Sequence, residues 1–394
     1  MDFRLTDEQT MIQEAAVRFG KKWGPRMEEV QKRTLETGSF PADWWKDFAS
    51  AGFTGALIPE EYGGSNMGMA AMAIAMEAMA GQGCGSALVM LTMMDALCIL
   101  RAGPDEARQR YLPAIARGEL KMAFAITEPD AGSNSFRMRT TAVRRGDEIL
   151  LNGTKTFITG VDVADRVLVI ARSMPHEELK EKNLPKIAGF NVVIVDPKAK
   201  GFSMTELHTE GIEGLRQWTL HFDDVVVEQL IGEEHQGIVP MFDVLNAERT
   251  LATASAVGMV DRLLDRACGY ARERKVFGDR AIGSYQAIQH PLAEIKSELE
   301  AVRLLFYKAA VLFDQSAPPQ EIGPIATMAK YLAGELAIRA ADQALQTHGG
   351  NGFDRDYGLI QAYVNARLLR TAPISREMIL NQVAEHVLRL PRSY

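Results

Sequence analysis

From Thr6 to about residue 120, apolar residues recur at helical spacing, which predicts a run of helices each burying one face. Thr6 can cap the first of them, with Gln9 three residues on in capping-box spacing. Pro41 and the Pro59-Glu60-Glu61-Tyr62-Gly63-Gly64 loop interrupt the period. The Met-rich run 67–80 carries Glu77, is followed by Gly81 and predicts a buried helix. Helices resume through Leu100, and Gly103-Pro104 opens another. From about 121 to 233 the period becomes two. Thr140–Val143 and Glu148–Leu151 flank Arg145-Gly146-Asp147, a hairpin signal, and Val167–Ile170, Gly189–Val195 and Trp218–Phe222 continue the strands. Short strands punctuated by Gly, Asn and Asp predict a small β-sandwich or barrel. The charged stretch Glu177 to Lys186 predicts an exposed loop. From Gly237 helical spacing returns, and segments 239–274, 285–314 and 321–347 predict a helix bundle, with Pro318-Pro319 and Gly349-Gly350-Asn351-Gly352 at its connections. The expected organisation is α+β in three units: a helical domain over 1–120, a β-domain over 121–233 and a helical bundle over 234–394.

Composition narrows the function classes. At 394 residues the chain exceeds one ordinary core. Its net charge of −7, with no basic stripe interleaved with aromatics, argues against nucleic acid as a partner. Cys84, Cys98 and Cys268 are widely spaced with no CxxC pair, which fits a reducing, cytoplasmic setting and argues against a disulfide frame or a zinc site. The N-terminus reads as an acid-bearing amphipathic helix rather than a signal or transit peptide, and no apolar run is long enough to span a bilayer. Gly81-Gln82-Gly83-Cys84-Gly85 looks like part of a dinucleotide fingerprint, but it follows a helix and lacks a surrounding βαβ unit, so a Rossmann reading fails on context.

The most informative stretch begins at Met122. An alternating run to Thr127 breaks at Glu128-Pro129 and enters a loop of small polar residues, Asp130 to Ser135. Such a loop presents backbone N–H groups and hydroxyls without bulky side chains, which suits an anionic group such as a pyrophosphate. The run Ile126-Thr127-Glu128-Pro129-Asp130-Ala131-Gly132-Ser133-Asn134-Ser135 resembles the signature of the acyl-CoA dehydrogenase family, flavoproteins that desaturate acyl-CoA thioesters. The resemblance extends over nearly the whole chain. It implies a four-helix bundle at the C-terminus and FAD held between the β-domain and that bundle. It implies Thr127 at the pyrimidine end of the flavin, Ser133 at the pyrophosphate, Phe157 as an aromatic wall and the Thr159 hydroxyl at flavin N5. Asn134 and Phe157 stand where the family usually has Asp and Trp. The resemblance also implies that Arg274, Phe277, Gln286, Gln346 and Gly350 reach the FAD of a neighbouring subunit, with Gln286 one residue beyond the usual spacing from Phe277. Taken alone, Thr127 and Thr159 are β-branched residues in strands, where threonine commonly lies. The glycine-rich end after Gln346 is, by itself, a plain helix cap.

Abstracting an α-proton from a thioester needs a carboxylate in a dry site and donors for the enolate-like oxygen. Most family members take the base from a YEGT element late in the chain. Here Pro373 falls where that glutamate should be, and Ser375 aligns with its cofactor-contacting threonine. Proline has no N–H, so half of the family's usual thioester-carbonyl site is missing unless the register slips by one residue or Ile374 supplies the donor. Glu377, four residues on, points elsewhere on a helix. Isovaleryl-CoA and long-chain dehydrogenases place the base earlier, before an arginine, and this chain has Asn246-Ala247-Glu248-Arg249 there. The resemblance therefore implies Glu248 as the base and Arg249 as its electrostatic partner at the substrate. Outside that context a Glu–Arg pair on a helix is usually a surface pair. Met90, Leu91 and Met94 are candidates for lining the acyl pocket, although core filling explains each as well. Small Ala372 leaves room for a branched, cyclic or long acyl group. The implied partners are an acyl-CoA substrate, an electron-transferring flavoprotein as acceptor, and further copies of the chain in a homotetramer. Two rival readings stand beside it: an FAD-dependent relative with oxidase or nitroalkane-type chemistry, and a non-catalytic flavin-binding subunit of a mixed assembly.

Overall fold

A computed structural model describes residues 4–37, 40–185, 187–212 and 214–392. Six helices open the chain: α1 (Asp7–Trp23), α2 (Met27–Thr37), α3 (Ala42–Ser50), α4 (Gly68–Gly81), α5 (Ala87–Ala102) and α6 (Asp105–Ala116). The capping box at Thr6 forms as the sequence predicts: its hydroxyl accepts from the Gln9 N–H at 3.2 Å, and the Gln9 side chain accepts from the Thr6 N–H at 3.1 Å. The Met-rich α4 is buried on almost every side, as expected of a helix without a polar face.

Eight strands follow in one sheet: β1 (Met122–Ala125), β2 (Thr141–Arg145), β3 (Glu148–Thr159), β4 (Arg166–Arg172), β5 (Phe190–Val195), β6 (Phe202–Leu207), β7 (Gln217–Val226) and β8 (Gln229–Ile231). The order is β6-β7-β3-β2-β4-β5-β8, with β1 parallel to β4 off this path. The hairpin read around Gly146 joins β2 to β3 antiparallel. Two expectations change. All four residues of β1 are buried, because β1, β4 and β5 are covered on both faces. Val167, Val169 and Val193 fill the β-core, while Leu168, Ile170 and Ile194 join the helical core. The charged stretch read as a loop contains a short helix, α7 (His176–Glu181), and Lys186 lies outside the described residues.

The remaining chain is helical: α8 (Ile238–Glu273), α9 (Gln286–Asp314), α10 (Pro319–His348), α11 (Leu359–Leu368) and α12 (Arg376–Gln382). A two-residue hairpin pair, β9 (Lys275–Val276) and β10 (Arg280–Ala281), separates α8 from α9. Pro319 is the first residue of α10, where a missing N–H costs nothing. Alanines 329, 333, 337, 341 and 344 form a buried stripe along α10, which packs against α8. Gly258 of α8 is needed for contact with α4, since a Cβ there would sit 2.2 Å from the Glu77 carbonyl oxygen. α5 also packs on α8, so α8 is enclosed by helices from both ends of the chain.

Candidate active site

Glu248 lies in the first third of α8 and is 7 % exposed, between the fully buried Ala247 and Leu251. Burial pushes its carboxyl up from 4.5 to about 7, against the pull of the Arg249 and Lys330 charges. No hydrogen bond ties its carboxylate among the described residues. Arg249 is half-buried and donates to the Asn246 side-chain oxygen at 2.9 Å, which fixes its head one turn back along α8.

Lys330 was not foreseen from the sequence. It is a lone ammonium in the alanine-rich stripe of α10, 3 % exposed. Its Nζ donates to the carbonyl oxygens of Leu369 at 2.6 Å and Ile374 at 2.8 Å. Burial lowers it to about 8, with Glu248 pulling the other way. Lys330 thus sits within electrostatic reach of the candidate base and holds the two ends of the loop around Pro373. Glu335 adds to this hold: it takes the Arg370 guanidinium in a two-point contact at 2.8 and 2.7 Å and lies 3.2 Å from Arg376. Ser375, read as a cofactor contact, uses its hydroxyl to cap α12, accepting from the Met378 N–H at 3.3 Å. Glu377 is exposed and faces Arg376 at 3.7 Å.

On the β-domain Thr127, Phe157 and Thr159 lie where the end of β1 meets β3. The Thr127 carbonyl accepts from the Thr156 N–H at 2.9 Å, which brings the end of β1 against β3. Beside it, Phe157 occupies a break in the β3–β7 register with φ at +56°, a conformation unusual for an aromatic residue. The bulge turns its ring outward to 61 % exposure. Two residues on, the Thr159 hydroxyl donates to the Gln217 side-chain oxygen at 3.0 Å. Ser133 and Gly132 are exposed, and a Cβ at Gly132 would meet nothing within 4 Å. An outward aromatic face, the Thr159 hydroxyl and an open small-residue loop have the chemistry to fit a flavin ring and its pyrophosphate.

Glu128, inside the signature, is structural. Its carboxylate accepts from the backbone N–H of Arg139 at 2.6 Å and Thr140 at 3.0 Å, and from Lys155 at 2.9 Å. Lys155 also donates to the Ile126 carbonyl at 2.7 Å and is fully buried. This ion pair closes the loop from 127 to 140 at its base.

The second predicted set lies on the bundle. Arg274, Phe277 and Gln286 are exposed around the β9–β10 hairpin, with Phe277 at 95 % and φ of +49°. Gln346 and Gly350 are exposed at the end of α10. The two segments are joined by Tyr270 stacked on His348, with ring centroids 4.3 Å apart, and by Asn351 donating to the Tyr270 hydroxyl at 3.2 Å. Among the described residues no hydrogen bond connects this patch to the one around Phe157.

Of the candidate acyl-pocket residues on α5, Met90 is half-buried, Leu91 nearly buried and Met94 fully buried. Sequence reading passed over Asp95 beside them, which is completely buried. Burial and the negative charge of Glu248 raise its carboxyl well above the ordinary range. An acid in the middle of the apolar α5 was the signal that could have found it.

The chain matches known proteins along nearly its whole length. Residues 6–119 match the N-terminal domain of acyl-CoA dehydrogenase, 123–225 the middle domain and 235–388 the C-terminal domain. The chain is similar to acyl-CoA dehydrogenase FadE12 of Mycobacterium tuberculosis, 43 % identical over 360 residues, covering 90 % of this chain and 89 % of the relative. It is 32 % identical over 391 residues to the 3-(aryl)acrylate reductase of Clostridium sporogenes, covering 98 % and 100 % of the two chains. Among solved structures, the FAD complex of PigA superposes with a TM-score of 0.88 at 27 % identity, over 98 % of this chain and 99 % of that one. Matched in all three of its parts, the chain belongs to the acyl-CoA dehydrogenase family of FAD-dependent oxidoreductases.

Proposed function

We propose that this protein oxidises an acyl-CoA thioester by removing its α-proton with Glu248. The observation that carries the reading is a carboxyl buried on α8 with no hydrogen bond among the described residues, where burial raises its proton affinity to about 7. Such a group is a far stronger base than an exposed glutamate, yet it remains substantially ionised at neutral pH. Arg249 and Lys330 favour its charged form and give the site a net positive frame for an enolate-like oxygen. The tail is a poorer source of base: Pro373 carries no acid, and Glu377 is exposed beside Arg376. A bound FAD would supply the acceptor for the hydride from the β-carbon.

In this reading Thr127, Ser133, Phe157 and Thr159 hold the cofactor from the β-domain, and Ser375 flanks it from the tail. Arg274, Phe277, Gln286, Gln346 and Gly350 complete the site for a neighbouring copy. The exposure of Phe277 and of Phe353, at 95 % and 72 %, supports burial against another subunit in the homotetramer proposed here. Met90, Leu91 and Met94 face the acyl chain, and Arg249 frames the thioester end. An electron-transferring flavoprotein would serve as the electron acceptor. The free thiols of Cys84, Cys98 and Cys268 suit work in the cytoplasm. No helix among the described residues is long and apolar enough to cross a membrane.

The test is anaerobic addition of saturated acyl-CoAs of graded length and branching to the yellow holoprotein. Bleaching of the flavin by at least one thioester is expected. Because one relative is by name a reductase, the chemically reduced protein is also offered the unsaturated thioesters. Absence of flavin redox change in both directions would refute the reading.

A further inference from the structure

Asp95 has no role in the chemistry described so far. It is fully buried on α5, and neither carboxyl oxygen has a hydrogen-bond partner among the described residues. Its helical neighbours Leu91, Met94 and Ile99 are apolar, and the buried Thr92 one turn back spends its hydroxyl on the Met122 backbone. Burying a polar group without a partner is costly, and native interiors rarely do it without a reason. The side of α5 that carries Asp95 is turned toward α8. One turn further along, the Cys98 thiol lies 3.6 Å from the Met241 sulfur of α8. Asp95 itself lies within electrostatic reach of Glu248, two turns beyond Met241 on α8. The unpartnered carboxyl is therefore on the side of the acyl-pocket helix that faces the candidate base.

Resting on the acyl-CoA reading above, we propose that Asp95 determines acyl specificity: it receives an N–H or O–H donor, an amine or hydroxyl carried on the acyl chain of the substrate. A plain alkyl chain leaves its oxygens unsatisfied. An acyl chain ending in a carboxylate brings a third acid beside Asp95 and Glu248. A hydroxyl matches best while the carboxyl is neutral, because both groups then donate and accept. An amine draws the proton away and pairs with the carboxylate.

Length-matched acyl-CoAs ending in methyl, hydroxyl or amino groups test this on the holoprotein, with kcat/KM measured for wild type, Asp95→Asn and Asp95→Leu. Wild type is expected to favour a donor-bearing chain over its methyl isostere on the order of 10- to 100-fold. Asp95→Leu should remove or invert that ratio, and Asp95→Asn should keep part of the hydroxyl preference. The hydroxyl and amino arms separate the two donors. Thermal melting supplies a second readout: Asp95→Leu should melt higher than wild type, because an unpaired buried acid is gone. A wild-type ratio at or below one, or a ratio unchanged in Asp95→Leu, overturns the assignment and leaves a buried water as the occupant. Turnover of methyl-ended chains without preference sinks only this inference. Failure of every thioester to reduce the flavin sinks the acyl-CoA reading and this inference with it.

Discussion

Replacing Lys330 with methionine separates electrostatic tuning of the base from support of the loop. In the native protein the ammonium lies within electrostatic reach of Glu248 and grips the carbonyls of Leu369 and Ile374. Methionine keeps most of the volume and removes both functions. Losing a buried cation near Glu248 weakens its ionised form by roughly 1 kcal/mol at an effective dielectric near 20. At about 1.4 kcal/mol per pH unit, this moves the carboxyl up by somewhat under one unit. Two charge-assisted hydrogen bonds are lost as well, each worth about 1.5–3 kcal/mol, while the desolvation cost of the lysine is relieved. Glu335 still holds Arg370, so the loop should remain in place. The assay is kcat/KM against pH for a thioester that bleaches the wild-type flavin. Its rising limb should centre near 7 in wild type, where Glu248 titrates, and near 8 in Lys330→Met. Glu335→Gln, which loosens the same loop but leaves the ammonium, should not move the midpoint upward. An unmoved or lowered midpoint in Lys330→Met would refute the electrostatic role.

Other expectations follow from the same groups. Glu248 holds its proton to a higher pH in the folded state than its ordinary 4.5, so its linkage contribution is most favourable below 4.5 and lost as pH rises through about 7. The gap corresponds to about 3.5 kcal/mol at about 1.4 kcal/mol per pH unit. Denaturant titrations of Glu248→Gln should therefore show a stability gain over wild type at pH 8 that fades by pH 5; a gain independent of pH would contradict this. Lys155→Met leaves Glu128 buried without its cation. It should lower stability by about 3–5 kcal/mol and cut the flavin content of purified protein, read by denaturation and by absorbance.

Much of this was legible in the sequence wherever the signal was local. The Thr6 capping box, the hairpin at Gly146 and the long bundle helices each depend on residues a few positions apart. Glu248 was legible only through a family motif, because nothing in Asn246-Ala247-Glu248-Arg249 reveals burial. The pattern failed where tertiary cover decides. β1 lost its alternation because helices and sheet bury both its faces, and α7 formed in a stretch whose charges suggested only exposure. Lys330 escaped notice because its partners lie 39 and 44 residues away. Asp95 did so because its environment is made by α8, on the far side of the β-domain in sequence.

Exchange of the substrate α-hydrogen with solvent deuterium tests the role of Glu248 most directly, because it follows the proton and needs no electron acceptor. Holoprotein incubated anaerobically in D2O with an acyl-CoA that bleaches its flavin should place deuterium at the α-carbon, with a rate that climbs through a pH of about 7. Glu248→Gln should retain its flavin and leave the α-position protonated. Deuterium incorporated by Glu248→Gln at the wild-type rate would mean that another group takes the proton.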